Sequence, residues 1–277
     1  MAFMTYDEMA RIDNLSPEEI LIFANGLWVI EKNGWINIEP GYVLIVLENV
    51  KNVFAKWFTE EEIDSKKVSF VNKKTKEECP VAFPKKGIIS LCMDLLPHND
   101  GCKLIYQSSH ELTHIFLGCR PSYKNIQEYK WFEETICELA SLAVLDDAIW
   151  QTTDALGFIS NMRFAKQYLQ TTIKDVPEYE IEQVANIFML ESEKLSQNSY
   201  MREINILFAC EIRKIVAIDK AFWDCIKIFT EIDGQGIPIE DSFKKWYELV
   251  PLESKEIVAK IISVFGVEVK ANMEVTT

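Results

Sequence analysis

The sequence predicts an α+β fold, predominantly helical, with a small sheet and an active-site helix in an amino-terminal lobe and a helical carboxy-terminal lobe. Three observations predict it. Val68-Ser69-Phe70-Val71 and Gly87-Ile88-Ile89-Ser90-Leu91 are short β-branched or aromatic runs between Lys/Glu-rich and proline-containing connections, the pattern of strands. From residue 130 onward, apolar residues recur at three- and four-residue steps, the helical period. Between these regions, His110 and His114 stand four residues apart in an apolar stretch that reads as a helix.

Taken in order, Ser16-Pro17-Glu18-Glu19 is a capping box with proline at the first helical position, so a helix is expected to run from there through Ile20, Ile22 and Phe23 towards Gly26. Over 42–58 a continuous apolar run gives way to Leu47, Val50, Phe54 and Trp57 at helical steps, which favours a second helix whose first turns read equally as strand. Strands follow at 68–71 and 87–91. Pro97-His98-Asn99-Asp100-Gly101 is a turn by composition, with His98 a loop residue, and the helix carrying His110 and His114 ends at Gly118. Helices are expected at 131–150, 158–172, 180–195, 200–217, 219–231, 240–249 and 253–265, punctuated by Pro177, Gly234, Gly236, Pro238 and Pro251. The expected division is 1–118 and 119–277, with the lobes meeting between the helix of His110 and His114 and the helix that begins at 131.

Composition narrows the function classes. With 277 residues, 48% hydrophobic and 26% charged, the chain carries enough apolar surface for a core and is no disordered tail. A net charge of −14 without clustered Lys and Arg argues against a nucleic-acid surface. The apolar run Gly41–Leu47 is broken at Glu48, too short to span a bilayer, so no membrane association is expected. Met1–Asn14 includes acids and lacks a basic region followed by an apolar block, which leads to an expected cytoplasmic location, with signal-independent secretion left open. Seven cysteines, at 79, 92, 102, 119, 137, 210 and 225, form no CxxC pair and read as reduced, buried thiols.

The chemistry is concentrated in Ser109-His110-Glu111-Leu112-Thr113-His114, an HExxH pattern. Four residues make a little over one helical turn, so both imidazoles project from one face and can bind one Zn²⁺ per chain. Glu111 lies beside them as a base for a water polarised by the ion. A third ligand is needed, and Trp131-Phe132-Glu133-Glu134-Thr135-Ile136-Cys137-Glu138-Leu139-Ala140-Ser141 places acids on a second amphipathic helix.

HExxH followed by this Trp-Phe-Glu-Glu run resembles the gluzincin metallopeptidases, the group that includes thermolysin and the zinc aminopeptidases. The resemblance implies a zincin-like fold and hydrolysis of a peptide or protein substrate. It implies Glu134, twenty residues after His114, as third ligand in preference to Glu133, and Glu138, four residues further, as the acceptor of a hydrogen bond from His110. It also implies a strand edge at Gly87, Ile88, Ile89 and Ser90 that pairs with substrate backbone, against which stands the plain alternative of a central strand. No histidine follows His114, so the aminopeptidase branch supplies the comparison for an oxyanion donor: Tyr200, ahead of an amphipathic helix through Ile204, Leu207 and Phe208, with Arg202 a weaker rival. The Gly-x-Met-Glu-Asn-type motif of that branch is missing ahead of His110. The specific resemblance covers Tyr106 to about Ala143.

Two further readings stand beside a zinc peptidase. One is a regulatory protease resembling the ImmA/IrrE type, with one protein substrate. The other is an interaction or scaffold protein that keeps the fold without turnover.

Overall fold

The computed structural model describes residues 16–35, 38–72, 80–93, 100–118, 129–150, 159–174, 176–232 and 236–269. His98, the loop containing Pro121, Gly234, and the terminal segments Met1–Asn14 and Ala271–Thr277 lie outside them. The described residues are mostly helical and include one five-stranded mixed sheet, an α+β architecture. Two compact units divide the chain: residues 1–119 with 136–175, and 120–135 with 176–277. The sequence boundary at 118 assigned 136–175 to the other unit. The difference arises because one helix, Lys130–Trp150, contributes its first residues to the second unit and the remainder to the first.

In the first unit, strands β1 (Ile20–Phe23), β2 (Trp28–Glu31), β3 (Val68–Asn72), β4 (Val81–Phe83) and β5 (Ile88–Leu91) are ordered β1-β2-β3-β5-β4. β2, β3 and β5 are parallel; β1 and β4 add antiparallel at the two ends. Trp28, Ile30, Phe70, Ile89 and Leu91 are buried, which is what parallel strands require of their sequence.

The helix expected from Ser16 is confined to a single 3-10 turn, Pro17–Glu19. Its capping box forms, with the backbone N–H of Ser16 donating to Glu19 Oε2 at 2.9 Å. Beyond it, Ile20-Leu21-Ile22-Phe23 has the β-branched and aromatic character of a strand and pairs with β2 through a turn in which Ala24, Asn25 and Gly26 all have positive φ. Pairing with a neighbouring strand therefore overrode a local start signal. The same hairpin supplied two strands that local pattern did not reveal, and three-residue β4 was also too short to see.

Helix α1 (Pro40–Trp57) confirms the helical reading of 42–58 and buries Val43, Val46, Leu47, Val50, Val53, Phe54 and Trp57. A short α2 (Glu60–Asp64) follows, its Thr59 hydroxyl accepting from Glu62 N. Helix α3 (Asp100–Gly118) packs on α1 and on β4 and β5. The rings of Phe58 and Phe116 lie 4.3 Å apart, and those of Phe54 and Phe116 5.5 Å. Gln107 ties α3 to the exit of β5: its amide donates to Cys92 O at 3.0 Å and accepts from Cys92 N at 3.0 Å. Helix α4 (Lys130–Trp150) and α5 (Ile159–Ile173) complete this part of the chain.

The second unit holds α6 (Ile181–Gln197), α7 (Arg202–Ile215), α8 (Lys220–Phe229), α9 (Ile239–Leu249) and α10 (Lys255–Ser263), with the first residues of α4. Every helix expected past residue 130 is present, with ends shifted by a few residues. Aromatic rings fill its core: Phe132 lies 4.8 Å from Phe229 and 5.2 Å from Phe243, while Trp131 lies 5.2 Å from Phe188 and 5.3 Å from Phe265. All of these but the tilted Trp131–Phe188 pair meet edge-to-face, a geometry that stabilises beyond the area buried. Asn205 anchors the start of α4 by donating to Trp131 O at 2.9 Å. Among the described residues no helix is long and apolar enough to cross a membrane.

Candidate metal centre

Residues 108–114 are nearly all buried, yet six of the seven are polar, and for the hydroxyls the backbone resolves the conflict. Ser108 Oγ donates to Leu104 O at 2.6 Å, Ser109 Oγ to Ile105 O at 2.6 Å and Thr113 Oγ1 to Ser109 O at 2.8 Å. Each hydroxyl is satisfied by the carbonyl one turn back, so α3 can run through the core with these side chains inside. His110 and His114 share the remaining face. Their ring centroids are 5.1 Å apart; His110 and Glu111 are buried, and His114 is half-buried.

Behind His110 lies Glu138, on α4 and wholly buried. Its Oε1 is 3.9 Å from Nδ1 of His110, and its Oε2 accepts a hydrogen bond from the Tyr106 hydroxyl. Tyr106 lies one turn before His110 on α3, and its ring meets that of Tyr168 edge-on at 6.1 Å. A second link joins the helices: Ser141 Oγ stands 3.0 Å from the carbonyl oxygens of both Tyr106 and Cys137 and shares its single proton between them. The pairing of Glu138 with His110 expected from resemblance is thus present as proximity, short of a direct hydrogen bond at this separation.

Among the described residues, the group of His, Cys, Asp and Glu side chains able to hold a metal ion is His110, His114 and Cys137, whose ligand atoms all lie within 4.8 Å of one another. Two imidazoles and a thiol are a donor set that suits zinc. Cys137 is buried and in no disulfide, as expected of the cysteines, and its thiol stands with the histidine pair. The sequence signal was its place beside Glu138, near one turn past Glu134; the search for CxxC pairs could not detect it.

The other expected residues are placed as follows. Glu133 and Glu134 are half-buried and belong to the part of α4 that falls in the second unit; Tyr200, two residues before α7 and 41% exposed, belongs to the same unit. Arg202 opens α7 and is exposed.

Gly87, Ile88, Ile89 and Ser90 do not form a free edge. β5 pairs with β3 on one side and β4 on the other, and Ile88, Ile89 and Ser90 are buried, so this backbone has no open hydrogen-bonding side for a peptide. The central-strand alternative is the one realised. Gly87 instead makes the tight turn from β4: its φ is +64°, and a Cβ there would lie 2.0 Å from Lys67 O.

No protein-family model matches this sequence, no curated protein matches it, and no solved structure matches the fold.

Proposed function

We propose that the chain is a zinc-dependent peptidase built on α3 and α4. The observation that carries this reading is the conjunction, within the first unit, of the HExxH face with a buried carboxylate behind its first histidine. A helix face bearing two histidines is common chance. A buried Glu138 whose oxygens address Tyr106 on one side and His110 on the other is costly unless the imidazole is being oriented for a task.

His110 and His114 supply two ligands and α4 a third. When bound, zinc supplies a Lewis acid and lowers the pKa of a water towards about 7. Glu111, next to His110 on the same helix, would take a proton from the attacking water and pass it to the departing amine. From 3.9 Å, a small χ rotation would bring Glu138 Oε1 within hydrogen-bond reach of His110 Nδ1 and hold the tautomer in which the other nitrogen is free to bind metal. For the substrate, the available backbone is β4, which packs on α3; among the described residues no strand pairs with its outer edge. An extended peptide adding there would be held by main-chain hydrogen bonds.

Substituting Glu111→Gln tests the reading. Zinc content should remain at one per chain while peptide-library hydrolysis falls by at least about 100-fold, because the base is lost and the ligands stay. Unchanged hydrolysis in that variant would refute the role of Glu111. A wild-type protein that holds zinc and cleaves nothing would favour the interaction-protein reading.

A further inference from the structure

We infer that Cys137 is the third protein ligand of the metal held by His110 and His114, making a His₂Cys centre; this rests on the metal site of the proposed peptidase and specifies it. The expectation from resemblance was a carboxylate, Glu134, three residues earlier on the same helix. The geometry points to the thiol.

Three observations support the assignment. The Cys137 Sγ and the ligand nitrogens of both histidines lie within 4.8 Å of one another. Around a tetrahedral zinc with bonds of about 2.0–2.3 Å, ligand atoms stand about 3.4–3.7 Å apart, so small χ rotations close the set. Second, the position of Cys137 is held from behind: the shared Ser141 hydroxyl ties its carbonyl to that of Tyr106, on the helix that carries both histidines. Third, Cys137 is wholly buried beside His110, where a thiolate without a cation would be costly and one bound to zinc is neutralised. On binding, the S–H bond breaks, the sulfur keeps the electron pair as the ligand, and the proton leaves to buffer.

Three protein ligands leave a fourth position open, as catalytic zinc sites require. A thiolate also changes which ions are accepted. Two imidazoles and a carboxylate tolerate hard divalent ions; two imidazoles and a thiolate select zinc, cobalt or cadmium over magnesium, calcium and manganese.

Cobalt is the probe. Full-length protein loaded with one equivalent of Co²⁺ should show an intense near-ultraviolet sulfur-to-cobalt charge-transfer band. The band should be lost in Cys137→Ser and in His114→Ala and kept in Glu134→Ala. Because His114 is half-buried, its alanine variant gives a check that does not depend on the core position folding with serine. Wild type that binds cobalt through His114 with no sulfur band would overturn the assignment and leave the peptidase reading intact. A band that survives Cys137→Ser would overturn it as well. The band present without peptide hydrolysis would uphold Cys137 and count against the peptidase; no cobalt uptake at all would remove both.

Discussion

The hydroxyl of Tyr106 donates to Glu138, and the second oxygen of the same carboxylate stands 3.9 Å from Nδ1 of His110. All three side chains are buried, so the carboxylate behind His110 is itself held by a phenol from the helix that carries the histidine. The consequence is a graded series. Glu138→Gln should weaken zinc binding by about 10–100-fold, the range seen when the partner of a ligating histidine is removed. Tyr106→Phe keeps the ring against Tyr168 and loses only the donor, so its effect should be smaller and in the same direction. Competition with a zinc chelator measures both. Equal affinities in all three proteins would show that the relay does not act on the metal.

β5 makes a prediction about stability. Ser90 is buried, and among the described residues its hydroxyl has no hydrogen-bond partner. Ser90→Ala should therefore be neutral or stabilise the fold by up to about 1–3 kcal/mol, the cost of an unsatisfied buried polar group. Gly87→Ala should do the opposite, since its Cβ would meet Lys67 O at 2.0 Å in a left-handed conformation. Urea midpoints report both. A loss of hydrolysis in Ser90→Ala at unchanged stability would restore a substrate role to this strand.

Burial pushes the Cys102 thiol up from 9.0 to about 11. A raised folded-state pKa means that the protonated thiol is the form the fold favours. The stabilisation is present in full below the unfolded value and is lost as pH rises through the 9-to-11 window. Cys102 should resist iodoacetamide at pH 8 in the folded protein and react at the ordinary rate once urea unfolds it. Mass-spectrometric mapping of the alkylated cysteines reads this directly; rapid labelling of Cys102 at pH 8 would mean that α3 opens near its start.

Much of this chain was legible without coordinates, for a local reason. The helices past residue 130 each carry a 3.6-residue apolar period long enough to show itself, and His110, Glu111 and His114 are joined by a spacing that the helix itself turns into a face. Ile20–Phe23 shows the limit. Its capping box forms, yet the residues after it take their conformation from Trp28–Glu31, a partner no local signal names.

The sequence by itself determined the helical majority and the HExxH face, because helix periodicity and residue spacing are properties of neighbours in the chain. Tertiary structure alone decided that β5 is enclosed between β3 and β4, that the Tyr106 hydroxyl holds Glu138 from the side away from His110, and that the Cys137 thiol stands with the two histidines. Strand order and the meeting of α3 with α4 are set by burial of apolar surface across long sequence separations. No spacing rule encodes which side chains that burial brings together.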